Sequence, residues 1–111
     1  MAAQDMRRAQ AASTFSQIGG AKIGFFSATW PFARLSARSD GISLRCGLKF
    51  RFPKDSIFRL SRHKGTISAG LLIEHNVSRY PDFFLFWSFN FERLRRELEA
   101  LGYNIRENYE L

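Results

Sequence analysis

From Ala33 to Phe52 the side chains alternate between apolar and polar, whereas from Phe91 to Leu101 the apolar ones recur at helical spacing. That switch from a period of two to one of about 3.6, made once and late in the chain, is the strongest constraint on the fold. Ala33, Leu35 and Ala37 fall on one face of an extended segment, with Arg34, Ser36 and Arg38 on the other. Ser39-Asp40-Gly41 is a turn signal, after which Ile42, Leu44 and Cys46 point in while Ser43 and Arg45 point out. The two segments therefore read as a hairpin. Gly47 interrupts the run, and Leu48, Phe50 and Phe52 then alternate with Lys49 and Arg51 until Pro53. Proline has no N–H to give to a ladder, so the strand ends there.

Further strands flank this unit. Ile18 to Trp30 carries Ile23, Phe25, Phe26 and Trp30 among glycines, which predicts at least one irregular strand. Ile57 to Ser61 reads as a short strand, His63-Lys64-Gly65 as a polar loop, and Thr66 to Asn76 as another strand divided by a bulge or bend at Gly70. Phe83 to Phe89 is aromatic at nearly every position. Such a strand is expected to be buried on both faces, one against the core and one beneath the terminal helix or the tail. Asn90 is a good N-cap for the helix, Phe91, Leu94, Leu98 and Leu101 form its apolar stripe, and Gly102 is its stop. Its other face carries charges at i,i+4 spacing, such as Glu92 with Arg96, and reads as solvated.

About six or seven strands followed by one amphipathic helix exclude a parallel sheet, which would need helices between its strands. The fold class expected is mainly β (α+β): an antiparallel barrel or sandwich closed at one end by the C-terminal helix. The element order resembles the pleckstrin-homology (PH)-like superfold. The stretch from Trp30-Pro31-Phe32-Ala33-Arg34-Leu35 through Asp40-Gly41 to Phe86-Trp87-Ser88-Phe89 also resembles small uncharacterised bacterial proteins of PH-like type. The resemblance spans Ile18 to Gly102 and departs from eukaryotic PH domains in one respect. Those usually carry a Trp in the final helix, whereas Trp87 here precedes it. A length of 111 residues suits one domain, read as residues 16–111, behind a flexible N-terminal tail of residues 1–15. Arg7-Arg8 and the Ala and Ser content of that tail would suit a transit peptide, but Asp5 would not, and no apolar stretch follows as a secretory signal requires.

Charge is the most informative feature. The net charge is +7, and residues 34–64 hold nine basic against two acidic side chains, so the whole excess lies in the middle strands. The alternation puts Arg34, Arg38, Arg45, Lys49 and Arg51 on their outer side, where neighbouring strands about 4.8 Å apart would gather them into one positive surface. Arg59, Arg62, His63 and Lys64 form a second cluster that could seat a phosphate. The candidate anion-binding residues are thus Arg34, Arg38, Arg45, Lys49, Arg51, Arg59, Arg62 and Lys64. The partners this suggests are an anionic membrane surface, taken first, or an acidic protein, with a cytoplasmic chain peripheral to the inner membrane. Nucleic acid ranks third, because most aromatics fall at inward positions and leave few rings for stacking. A different class of function, peptide binding or assembly, would use the aromatic stretch from Tyr80 to Phe91 as a groove wall. PH-like folds can take a peptide there or beside a sheet edge.

Catalysis is not expected, nor is a cofactor or a metal. His63 and His75 are the only histidines and Cys46 the only thiol, so no Cys/His zinc site can be built and no internal disulfide can form. Cys46 alternates inward as an inert thiol, and His75 and Glu74 point to opposite sides of one strand. Gly19-Gly20 and Gly24 lack the Lys and the strand-to-helix context of a phosphate loop.

Overall fold

The computed structural model describes residues 14–64 and 69–107. Over these the chain forms β1 (Phe15–Ile23), β2 (Phe26–Arg38), β3 (Gly41–Cys46), β4 (Leu48–Pro53), a 3-10 turn (Lys54–Ser56), β5 (Ile57–Lys64), β6 (Ala69–His75), β7 (Phe84–Ser88), α1 (Phe91–Ala100) and β8 (Ile105–Glu107). All eight strands lie in one curled, open sheet of order β4-β3-β2-β1-β7-β6-β5-β8. Neighbours are antiparallel except β5 and β8, which are parallel. Two meanders, β1 to β4 and β5 to β7, are joined where β1 pairs with β7.

The period-two pattern decides which face is inside. Ala33, Leu35 and Ala37 of β2, Ile42 and Leu44 of β3, and Phe52 of β4 are buried, as are Leu71 and Ile73 of β6 and Phe84 and Phe86 of β7. They share one core with Phe91, Leu94 and Leu98, the stripe of α1. The helix therefore closes the inner face of the sheet. Asn90 caps it as its side chain suggests, with Oδ1 accepting from Arg93 N at 3.3 Å, and Gly102 follows it with φ +97°. Asn90→Ala is expected to cost about 1 kcal/mol and to lower the melting temperature by about 4–8 °C, as read from thermal unfolding followed by circular dichroism.

The hairpin at Ser39-Asp40 forms with Ala37 opposite Ile42 and Leu35 opposite Leu44. Gly47 alone connects β3 to β4, with φ +86°. Elsewhere the structure corrects the sequence reading. The described residues form eight strands instead of six or seven, because three residues after the helix, Ile105–Glu107, add a parallel strand beside β5. β1 begins at Phe15, within the segment read as tail, and residues 1–13 of that segment lie outside the described residues. β5 continues through His63 and Lys64, where a loop was expected, and Gly65 and Thr66 lie outside the described residues. Gly70 carries no bulge: the β6–β7 register runs evenly past it. A Cβ there would meet Leu85 Cδ1 at 2.8 Å, so its bareness makes room for Leu85 on the outer face of β7. That outer face is thus packed over Gly70 and is not beneath α1, whose stripe is spent on the inner core.

The largest irregularity lies in β2. Gly19 pairs with Ala33 and Ala21 with Ala28, so the single residue Gly20 on β1 faces four residues, Thr29 to Phe32, on β2. This bulge contains a cis Trp30–Pro31 bond. It reverses which side of β2 faces the core, from Ala28 before it to Ala33 after it, and swings the intervening side chains outward.

Candidate anion-binding face

Strand register assembles the outer surface of β2, β3 and β4. Arg34 pairs with Arg45 and Arg45 with Lys49, so three cations stand directly opposite one another in a row across three strands. The next outward row is Ser36, Ser43 and Arg51, about 7 Å along the strands. Arg38 follows at the hairpin end, paired with Gly41. Ser36 and Ser43 are small, so they leave a neutral shelf between the row and the turn.

These cations differ in what surrounds them. Arg51 lies 3.9 Å from the Asp40 carboxylate. Arg34 donates from Nη1 to Ser16 Oγ at 3.5 Å. Among the described residues no carboxylate comes within ion-pair distance of Arg34, Arg38, Arg45 or Lys49. The hairpin end is fixed from below, where the buried Tyr103 donates its hydroxyl to the Arg38 carbonyl at 2.6 Å. Burial, and then the charge of Asp40, pushes that phenol up to about 12.

The second sequence cluster does not join this surface. β5 is separated from β2 by β1, β7 and β6. Arg59 pairs with Glu74 at 3.3 Å. Arg62 lies over the Phe91 ring and between Glu92 at 3.2 Å and Glu107 at 3.7 Å, and Arg95 completes the group by donating to Glu92 and Glu107. The helix charges are therefore partly engaged: Glu92 pairs with Arg95 and Arg62, not with Arg96. Lys64, at the end of β5, has no carboxylate partner among the described residues.

Other candidate groups fall into the framework. Cys46 is buried, and burial pushes its thiol up. His75 is buried, accepts from Val77 N at Nδ1 (2.9 Å) and so points a protonated Nε2 at the Pro81 carbonyl, 2.8 Å away. His63 rests edge-on against Trp87. Among the described residues no three His, Cys, Asp or Glu side chains gather as a metal site would require. A hollow of about 170 Å³ beside Lys54 and Tyr103 is smaller than the ~300 Å³ at which ligand pockets usually begin. Among the described residues no helix is long and apolar enough to cross a membrane.

The aromatic residues depart furthest from expectation. Within the proposed groove wall, Phe84, Phe86 and Phe91 are buried in the core, and Tyr80 packs on Phe50 and Phe52 while its hydroxyl accepts from Arg51 N at 3.1 Å. Only Phe83 and Phe89 of that stretch are exposed aromatics. Conversely, Phe25, Phe26, Trp30, Phe32 and Phe58 stand in solvent, although most rings were expected inside. For Trp30 and Phe32 periodicity could not reveal this, because the bulge in β2 breaks the alternation that assigns faces. Compared with known proteins, the chain matches no protein-family model and no curated protein.

Proposed function

We propose that the chain is a non-catalytic binding module of PH-like architecture whose outer β2–β4 face docks on anionic phospholipid headgroups, with the inner leaflet as its natural surface. The PH-like reading is supported by the order of elements: a four-strand meander, a three-strand meander, and a helix packed across the inner face. The binding reading is carried by one observation, the cross-strand row of Arg34, Arg45 and Lys49 with no carboxylate beside it among the described residues. Like charges directly opposite on a sheet are destabilising by up to about 1 kcal/mol per pair. An anionic surface laid against the row supplies a counter-charge that the described residues do not. The alternative, a peptide held by residues 80–91, has less support, since most of those rings pack into the core.

Flotation with vesicles tests the reading. The native chain is expected to bind vesicles containing phosphatidylserine and not vesicles of phosphatidylcholine alone, more tightly at low salt than near physiological salt. A variant combining Arg34→Glu, Arg45→Glu and Lys49→Glu removes three contributions of about 1 kcal/mol each, and binding should fall by at least about a hundredfold. All three side chains are on the outer face, so its melting curve should show a folded protein. Absence of binding at low salt, or equal binding by the folded variant, overturns the proposal.

A further inference from the structure

Beside the cationic row the outer face carries a cluster of large apolar side chains. Ile18 is the register partner of Arg34 on β1, and Phe32 lies two residues before Arg34 on the same side of β2, flanking the buried Ala33. Phe32 is 70% exposed, Trp30 55% and Phe89 62%. The Trp30 and Phe89 rings meet edge to face, with centroids 6.1 Å apart at 80°. The cluster thus spans β1, β2 and the end of β7, and borders Arg34 directly.

These side chains are held outward by the backbone. Ser88 Oγ donates to Gln17 Oε1 at 2.7 Å and accepts from Asn90 N at 3.0 Å, while Gln17 Nε2 donates to the Asn90 carbonyl at 3.2 Å. Ser88 and Asn90 are tied to β1 on either side of Phe89, which leaves Phe89 directed to solvent. Trp30 and Phe32 stand out because four residues of β2 are accommodated against one of β1. Exposed apolar side chains gathered on one outer face and held in this way mark an interaction surface, whereas scattered exposed apolar residues do not.

We infer that Trp30, Phe32 and Phe89 form an apolar anchor that enters the interfacial layer of an anionic bilayer while Arg34, Arg45 and Lys49 hold the headgroups; the inference rests on the binding reading above. Three features favour a bilayer as the occupant. The cluster lies on the outer side of a curled sheet and so presents no groove for a peptide. Trp30 and Phe89 pack edge to face and do not offer separate parallel platforms on which successive bases stack. Trp beside a band of Arg and Lys matches the layered chemistry of a membrane interface, with aromatic rings at headgroup depth and cations against lipid phosphates.

Fluorescence of a Trp87→Phe variant, in which Trp30 is the remaining tryptophan, tests the anchor. The vesicles are phosphatidylcholine with about 30% phosphatidylserine, with and without brominated acyl chains. Trp30 emission is expected to shift to shorter wavelength on binding and to be quenched by the brominated lipid. Phe89→Ser, added to the native chain, is expected to weaken vesicle binding about tenfold without changing its salt dependence, because it removes apolar contact and no charge. Binding that persists with no quenching, and equally in Phe89→Ser, overturns the anchor and leaves the cationic reading standing. No binding at low salt overturns both. Release of the bound protein by a single-stranded oligonucleotide while Trp30 remains unquenched would assign the face to nucleic acid instead.

Discussion

Gly19→Ala is expected to be strongly destabilising, at a cost of about 3–5 kcal/mol. An added Cβ at Gly19 would fall on the Trp87 carbonyl oxygen, and 2.7 Å and 2.9 Å from two atoms of the Phe86 ring. The first of these is main chain, which cannot rotate away as a side chain could. Gly19 is also paired on its other side with Ala33, so β1 cannot slide to make room without shifting its register with β2. Relief requires β1 to part from β7, and that pairing joins the two meanders into one sheet. Domains of this size are stable by only about 5–15 kcal/mol, so the loss is a large share of the total. Gly47→Ala provides the contrast. Its φ of +86° costs about 1–2 kcal/mol for a residue with a Cβ, but nothing lies within 4 Å of the position. Urea unfolding should place the Gly19→Ala midpoint far below that of Gly47→Ala. Equal midpoints would show that β7 yields at Trp87 after all.

The contrast between local and distant information explains what the chain reveals before its structure is seen. The Asp40 hairpin and the helix from Asn90 to Gly102 are written in neighbouring residues: alternation, a capping side chain, a stripe and a stop. The row Arg34, Arg45, Lys49 is nearly as legible, because two tight connections set its register. Arg59 and Arg62 are different. They look free in sequence because their partners Glu74, Glu92 and Glu107 are distant along the chain and arrive only when β6, α1 and β8 fold against β5. β8 itself has three residues, too few to show a period, and exists through its pairing with β5 and the two arginines that hold Glu107. The apolar anchor was hidden for the opposite reason. Trp30 and Phe32 sit where the alternation breaks, and apolar residues in an irregular segment are read as core unless the bulge is known.

Phe52→Ala is the second large effect, and it bears on both stability and binding. Phe52 is fully buried, with ring centroids 4.8 Å from Phe84, 4.9 Å from His75 and 5.5 Å from Tyr80. It belongs to β4, the sheet edge, whose ladder is made with β3 alone. On its open side β4 is held by these ring contacts and by the Arg51 N to Tyr80 hydroxyl bond. Truncation to alanine should therefore cost about 3–5 kcal/mol, and a Phe52→Leu variant, which keeps more of the volume, roughly 1–2 kcal/mol. The loss should also be uneven. Hydrogen exchange should speed up in β4 more than in β6, since β6 keeps ladders on both sides. Lys49 rides on the same strand, so loosening β4 removes one end of the cationic row. Vesicle binding by Phe52→Ala, measured where the variant is still folded, should then fall toward that of a Lys49→Ala variant. If binding remains native while β4 exchanges freely, Lys49 is not part of the binding surface, and Arg34 and Arg45 carry the headgroup contact without it.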